Sequence, residues 1–234
     1  MADRGSYSIS AELVRERSIL RNVYLWMAGG LALTGVVALG VSGNPAIVRA
    51  LASNPILFFG LIVGELLLVI FLSSQMARLS APAATGCFIL YSGLNGVTLS
   101  LVFLIYTQAS LATAFLVTAG TFAGMSVYAM TTKRDLSGIG HYLVMGLIGV
   151  IIASVVNLFL RSTALYWLIS YAGVAVFLGL TAYDTQIIKR WSRELSDSVS
   201  EQEYIKISIL GALKLYLDFI NLFLFLLRIL GRRR

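Results

Sequence analysis

Residues 139–160 read IGHYLVMGLIGVIIASVVNLFL, a run without one lysine, arginine, aspartate or glutamate. A hydrocarbon core about 30 Å thick is crossed by roughly 20 apolar residues in a helix, so this stretch predicts a membrane span. Working outward, comparable runs at 22–41, 56–74, 83–106, 109–131 and 164–183 predict five more. A seventh, 207–230, carries Lys214, Asp218 and Arg228 and is expected to cross despite them, re-entry from one side being the alternative. Asn44-Pro45, Asn54-Pro55 and Pro82 punctuate the early connections, and Gly138 and Gly140 a later one. The expectation is an all-α membrane protein, a seven-transmembrane-helix bundle over 22–230. An N-terminal segment (1–21) and a basic tail (231–234) flank it.

Composition agrees. Of 234 residues, 58% are hydrophobic and 12% charged, with mean hydropathy +0.86, whereas soluble domains carry about 25% charged residues. The net charge of +7 follows from membrane topology and does not point to nucleic acid. With the N-terminus inside, the inner side receives Arg4, Arg15, Arg17, Arg21, Arg78, Lys133, Arg134, Lys189, Arg190 and Arg193, and the outer connections hold only Arg49 and Arg161. Seven crossings leave Arg232, Arg233 and Arg234 on the wrong side for this rule. The first span is too long for a signal h-region and is read as a true span. Gly120 and Gly124, and Gly93 with Gly96, offer small surfaces for helix packing.

No cofactor or resident metal is expected. Cys87 is the lone cysteine and His141 the lone histidine, so neither an internal disulfide nor a zinc site is available. Cys87 is read as a core residue and His141 as an interfacial anchor. No nucleophile, base and oxyanion donors are grouped along the chain, and the protein is not expected to be an enzyme.

Three acids stand at or within spans, where ionisable groups are costly and mark functional sites. Asp184 ends the sixth span and Asp218 lies two to three turns into the seventh, on the same side of the membrane. Two carboxyls close together cannot both ionise freely, so such a pair shares a proton and responds to pH. The plainer readings are a solvated helix-end acid for Asp184 and an i,i+4 partner of Lys214 for Asp218. Glu65, mid-span, reads either as an oxygen for a passing cation or as an acid hydrogen-bonded to a neighbouring helix. Arg78, just past the second span, is brought to the same side as the two aspartates.

The stretches GLTAYDTQ at 179–186 and LYLDFINLF at 215–223 resemble the paired signatures of the Bax inhibitor-1 (transmembrane Bax inhibitor motif) family. LNGVTL at 94–99 and TTKRDLSG at 131–138 resemble its bacterial branch, and the likeness covers almost the whole chain. The resemblance implies a bundle with the last helix central, and a pH-sensitive calcium leak. It makes Asp184 and Asp218 a pH-sensing dyad, Arg78 its latch, and Glu65 a pore or cation contact. Lys214, one turn before Asp218, departs from the plain two-acid pattern and is read as a modulator of the dyad. The expected location is the bacterial inner membrane, with the N-terminus cytoplasmic, the lipid bilayer and calcium ions as partners, and a membrane-protein partner as a further candidate. The competing class is a non-conducting membrane protein that binds and modulates another membrane protein. Proton-coupled small-molecule transport is weakened by the absence of an inverted repeat or broken helix pair.

Overall fold

The computed structural model describes residues 3–194 and 200–234, with side chains from residue 18 onward. Eight α-helices account for nearly all of the described chain: α1 (Asp3–Ser42), α2 (Pro45–Ser53), α3 (Pro55–Gln75), α4 (Ala81–Ile105), α5 (Gln108–Thr131), α6 (Gly140–Leu160), α7 (Thr163–Glu194) and α8 (Glu201–Leu230). Among the described residues seven of these, all but α2, are long and apolar enough to cross a membrane. Large apolar side chains stand bare along them, Ile56 at 85% exposed and Phe159 at 82%. Soluble monomers do not expose continuous apolar surface on this scale. The chain is an integral membrane protein.

Helix limits depart from the expected spans for identifiable reasons. The first helix starts at Asp3, well before the apolar run, because polar residues end a hydrophobic stretch without ending a helix. The connection after it holds α2. The two Asn-Pro pairs open helices: the Asn44 side chain accepts from the amides of Ala46 and Ile47, and Asn54 from that of Leu57. Pro45 and Pro55 occupy first helical positions, where the missing N–H costs nothing. The sixth span was expected to stop at Tyr183, but α7 runs on to Glu194. Lys189, Arg190 and Arg193 therefore sit on a helix and not in a connection. The last helix begins at Glu201 behind a capping box, the Ser200 hydroxyl accepting from the Glu203 amide and the Glu203 carboxylate from the Ser200 amide. It continues unbroken to Leu230, which leaves no turn for a re-entrant loop. Of the seven long helices it is the most buried: 72% of its most apolar stretch is covered, against 39% or less in the others.

The chain divides into two compact units, Met1–Ile105 with Arg190–Tyr216 and Arg234, and Tyr106–Lys189 with Leu217–Arg233. In the first, α1 and α4 pack closely where Gly96 faces the Thr34 carbonyl and Val37; a methyl on Gly96 would lie 2.7 Å from each. At Gly93, Gly120 and Gly124, also expected at helix contacts, an added methyl would meet nothing within 4 Å among the described residues. Their spacing matched a packing motif, but their helix faces point elsewhere. In the second unit, Gly140 makes room for the Tyr183 ring, and Gly173 for the Phe225 ring.

This contrast is testable by thermal unfolding of detergent-purified protein. Gly96→Ala is expected to cost about 1–3 kcal/mol through overpacking, and Gly120→Ala to change stability by no more than about 0.5 kcal/mol.

Candidate functional site

Both signature aspartates lie inside helices of the second unit, and both are buried, Asp184 at 6% exposed and Asp218 at 4%. This corrects the reading of Asp184 as a solvated helix-end acid, since ten more helical residues follow it. The register between α7 and α8 can be followed through three contacts. The Arg228 guanidinium lies 5.9 Å from the centroid of the Tyr166 ring. Gly173 admits the Phe225 ring. Phe177 stacks on Phe225 with centroids 5.8 Å apart. Rising numbers on α7 meet falling numbers on α8, so the helices run antiparallel here. Asp184 is seven residues beyond Phe177, and Asp218 seven before Phe225. Seven residues are nearly two turns, about 10.5 Å along the axis with a drift of about 20°. The two acids therefore fall level, close to the faces that carry the stacked phenylalanines.

The loop beside them is held by the same motif. Gln186, two residues past Asp184, accepts from the Leu136 amide at 2.9 Å and donates to the Arg134 carbonyl at 2.8 Å. Lys189 donates to the Met130 carbonyl at 2.5 Å. Ala129, Leu136 and Ala182 close a small apolar cluster over which Met125 packs. Two stretches singled out separately in the sequence, 179–186 and 131–138, are thus partners in space. On α8, Phe219 packs edge-on against Phe115 and Phe122 of α5 at 5.6 and 5.4 Å.

Glu65, Arg78 and Lys214 belong to the first unit. Arg78 is exposed in the turn after α3, and Lys214 is half-buried on α8. Glu65 is 9% exposed and accepts from the Thr98 hydroxyl at 2.9 Å, the hydrogen-bonded arrangement anticipated as the plainer of its two readings. His141 is exposed at the start of α6 with its ring edge-on to Tyr142. Among the described residues no three His, Cys, Asp or Glu side chains group as metal ligands.

Around Glu65 lies a polar cluster that sequence reading missed. The Thr34 hydroxyl of α1 donates toward the Ser92 carbonyl at 2.8 Å and the Gly30 carbonyl of its own helix at 2.9 Å. A hydroxyl has one proton, so at the 2.6 Å contact between Thr34 Oγ1 and the Tyr216 hydroxyl Tyr216 is the donor. The Tyr216 ring meets Tyr91 edge-on at 5.6 Å, and Asn95 donates to the Tyr91 hydroxyl at 3.3 Å. Asn95 is 8% exposed, and its Oδ1 has no hydrogen-bond partner among the described residues. The signal available in the sequence was the number of Thr, Tyr, Ser and Asn residues within spans 22–41 and 83–106. Which of them met was not visible.

Comparison with known proteins agrees with the motifs. The family model described as "Inhibitor of apoptosis-promoting Bax1" matches residues 16–234. The chain is 51% identical over 218 residues to inner membrane protein YbhL of Escherichia coli K12, covering 93% of each. It is 47% identical over 223 residues to a protein of Borreliella burgdorferi, covering 95% of each. A membrane protein of Streptococcus pyogenes serotype M1 is 42% identical over 186 residues, 80% of this chain and 79% of its own.

Two outcomes follow from this geometry. Gln186→Ala is expected to speed hydrogen exchange of the Leu136 amide by about two- to tenfold, the loss of one hydrogen bond of about 0.5–1.5 kcal/mol. Tyr216→Phe, by removing the donor to Thr34, is expected to lower stability by about 1 kcal/mol in denaturant unfolding. Family-model match, relatives and paired aspartate motifs together establish that this membrane protein belongs to the Bax inhibitor-1 family.

Proposed function

We propose that the protein is a pH-sensitive calcium leak of the bacterial inner membrane, gated by a proton shared between Asp184 and Asp218. What supports the reading most is the register of α7 and α8, which carries two buried acids to one level on adjoining helix faces. Like charges so placed cannot both ionise freely, and the pair titrates as a unit. With one proton shared, the residual negative charge keeps the path closed, and Arg78 supplies the latching positive charge. Full protonation removes that charge and opens a path along the last helix, the centre of the bundle in this reading. Glu65 offers a carboxylate to the permeating calcium, and Lys214 sets the pH at which the pair responds. No catalytic step and no cofactor enter the scheme. The N-terminus is cytoplasmic.

Calcium flux in proteoliposomes, measured at several pH values, tests the proposal. Flux through the intact protein is expected to rise as pH falls. Asp184→Asn and Asp218→Asn should each flatten that dependence, and Arg78→Ala should raise flux at alkaline pH. Should both aspartate variants keep the flux and pH profile of the intact protein, the gating scheme is wrong.

A second reading draws on Gly120 and Gly124 of α5, where an added methyl would meet nothing within 4 Å among the described residues. Small-residue steps let another helix approach closely, as suits a non-conducting protein that binds and modulates another membrane protein. Purified protein that passes no calcium at any pH, yet holds one specific partner in detergent, would favour it.

A further inference from the structure

At the C-terminal end of α8, within the second unit, lies a cavity of about 360 Å³ whose polar lining is Tyr106, Ser154, Asn157, Tyr166, Arg228 and Arg233. We propose that it binds a phosphate group, carried by the headgroup of an anionic phospholipid. Two guanidiniums face a cavity whose lining includes no acid, and planar guanidinium forks match phosphate oxygens. Arg228 lies over the Phe225 and Tyr166 rings, 5.1 and 5.9 Å from their centroids. A guanidinium stacked in this way keeps its in-plane N–H groups for a ligand.

Arg233 is held although it is exposed. It pairs as an isolated bridge with Tyr106. Next to it, the Arg232 amide donates to the Ser110 hydroxyl at 2.9 Å and the Arg232 carbonyl accepts from Thr107 at 3.2 Å. Gly231 makes this docking feasible, since a methyl there would meet the Tyr106 ring at 2.6 Å. The Tyr106 and Tyr166 hydroxyls raise the Arg233 pKa further above its ordinary value, so its charge is constant across accessible pH.

The source of the phosphate follows from the surroundings. Arg228 is in the last turn of a membrane-crossing helix, the depth at which headgroups lie. The rest of the lining is the buried Ile169 with Leu158 and Val155, whose apolar side chains are themselves exposed, a wall along which an acyl chain can continue. The same assignment gives Arg233, one of the three terminal arginines that break the charge rule of the remaining connections, a lipid phosphate to neutralise it. None of this depends on calcium conduction.

The test uses full-length protein in detergent, titrated with phosphatidylglycerol, with diacylglycerol of the same chains, or with inorganic phosphate. The thermal midpoint is measured throughout, and retained lipid is counted by native mass spectrometry. Phosphatidylglycerol is expected to raise the midpoint saturably and to stay bound, with diacylglycerol inert and inorganic phosphate effective only at far higher concentration. Arg233→Gln, a change outside any helix, should weaken phosphatidylglycerol binding about tenfold, and Arg228→Gln with Arg233→Gln should abolish the shift. The corresponding double change to lysine should keep much of the shift, separating lost charge from lost fold. Equal potency of inorganic phosphate would overturn the lipid assignment. A shift that survives in the double glutamine variant, or no shift in the intact protein, would overturn the site itself.

Discussion

Inside a bilayer a polar side chain has no water to turn to, so each one must be satisfied by the protein or carry a cost of several kcal/mol. The interior of this molecule is organised by that constraint. Thr34, Ser92 and Tyr216 are tied together across three helices, and Glu65 takes the hydroxyl of Thr98. Asp184 and Asp218 are buried on the two helices that carry the family motifs. The last helix, which carries Asp218 and Tyr216, is also the one most covered by protein.

Aromatic packing then decides where the acids stand. Removing the side chain at position 173 lets Phe225 seat against α7, and its stacking on Phe177 locks the register. Two helical turns carry that register to the aspartates. Gln186, on the same motif, spends both ends of its amide on the loop that follows α5. A motif that looks like one acid in a polar surrounding is thus a positioning device with separate parts: an acid, a loop clamp, and a ring resting on Gly140.

The far end of α8 obeys a different rule. There the polar groups sit where lipid headgroups begin, and charge need not be matched inside the protein. Arginines that would be costly two turns deeper are held by tyrosine hydroxyls, a ring face and a short backbone pairing. Polar groups at the two levels of one helix face different solvents, protein at Asp218 and the membrane boundary at Arg228.

How far this was legible depends on the range of each interaction. Span number came through because hydropathy sums over neighbours in the chain, and 139–160 needs no partner to declare itself. Helix ends were read less well: Glu194 and Asp3 lie beyond the apolar runs, since a helix tolerates polar residues that a hydropathy window rejects. The start of α8 at Glu201 was likewise missed, because the seventh span was placed by its apolar run from 207 and the Ser200–Glu203 capping box lies outside it. Pairings could not be read in this way. Two partners of Thr34 lie 58 and 182 positions away, and the face presented by Gly96 differs from that of Gly120 although both look alike in composition. Such contacts depend on how helices rotate against one another, a property of the packed bundle that no local window of residues encodes.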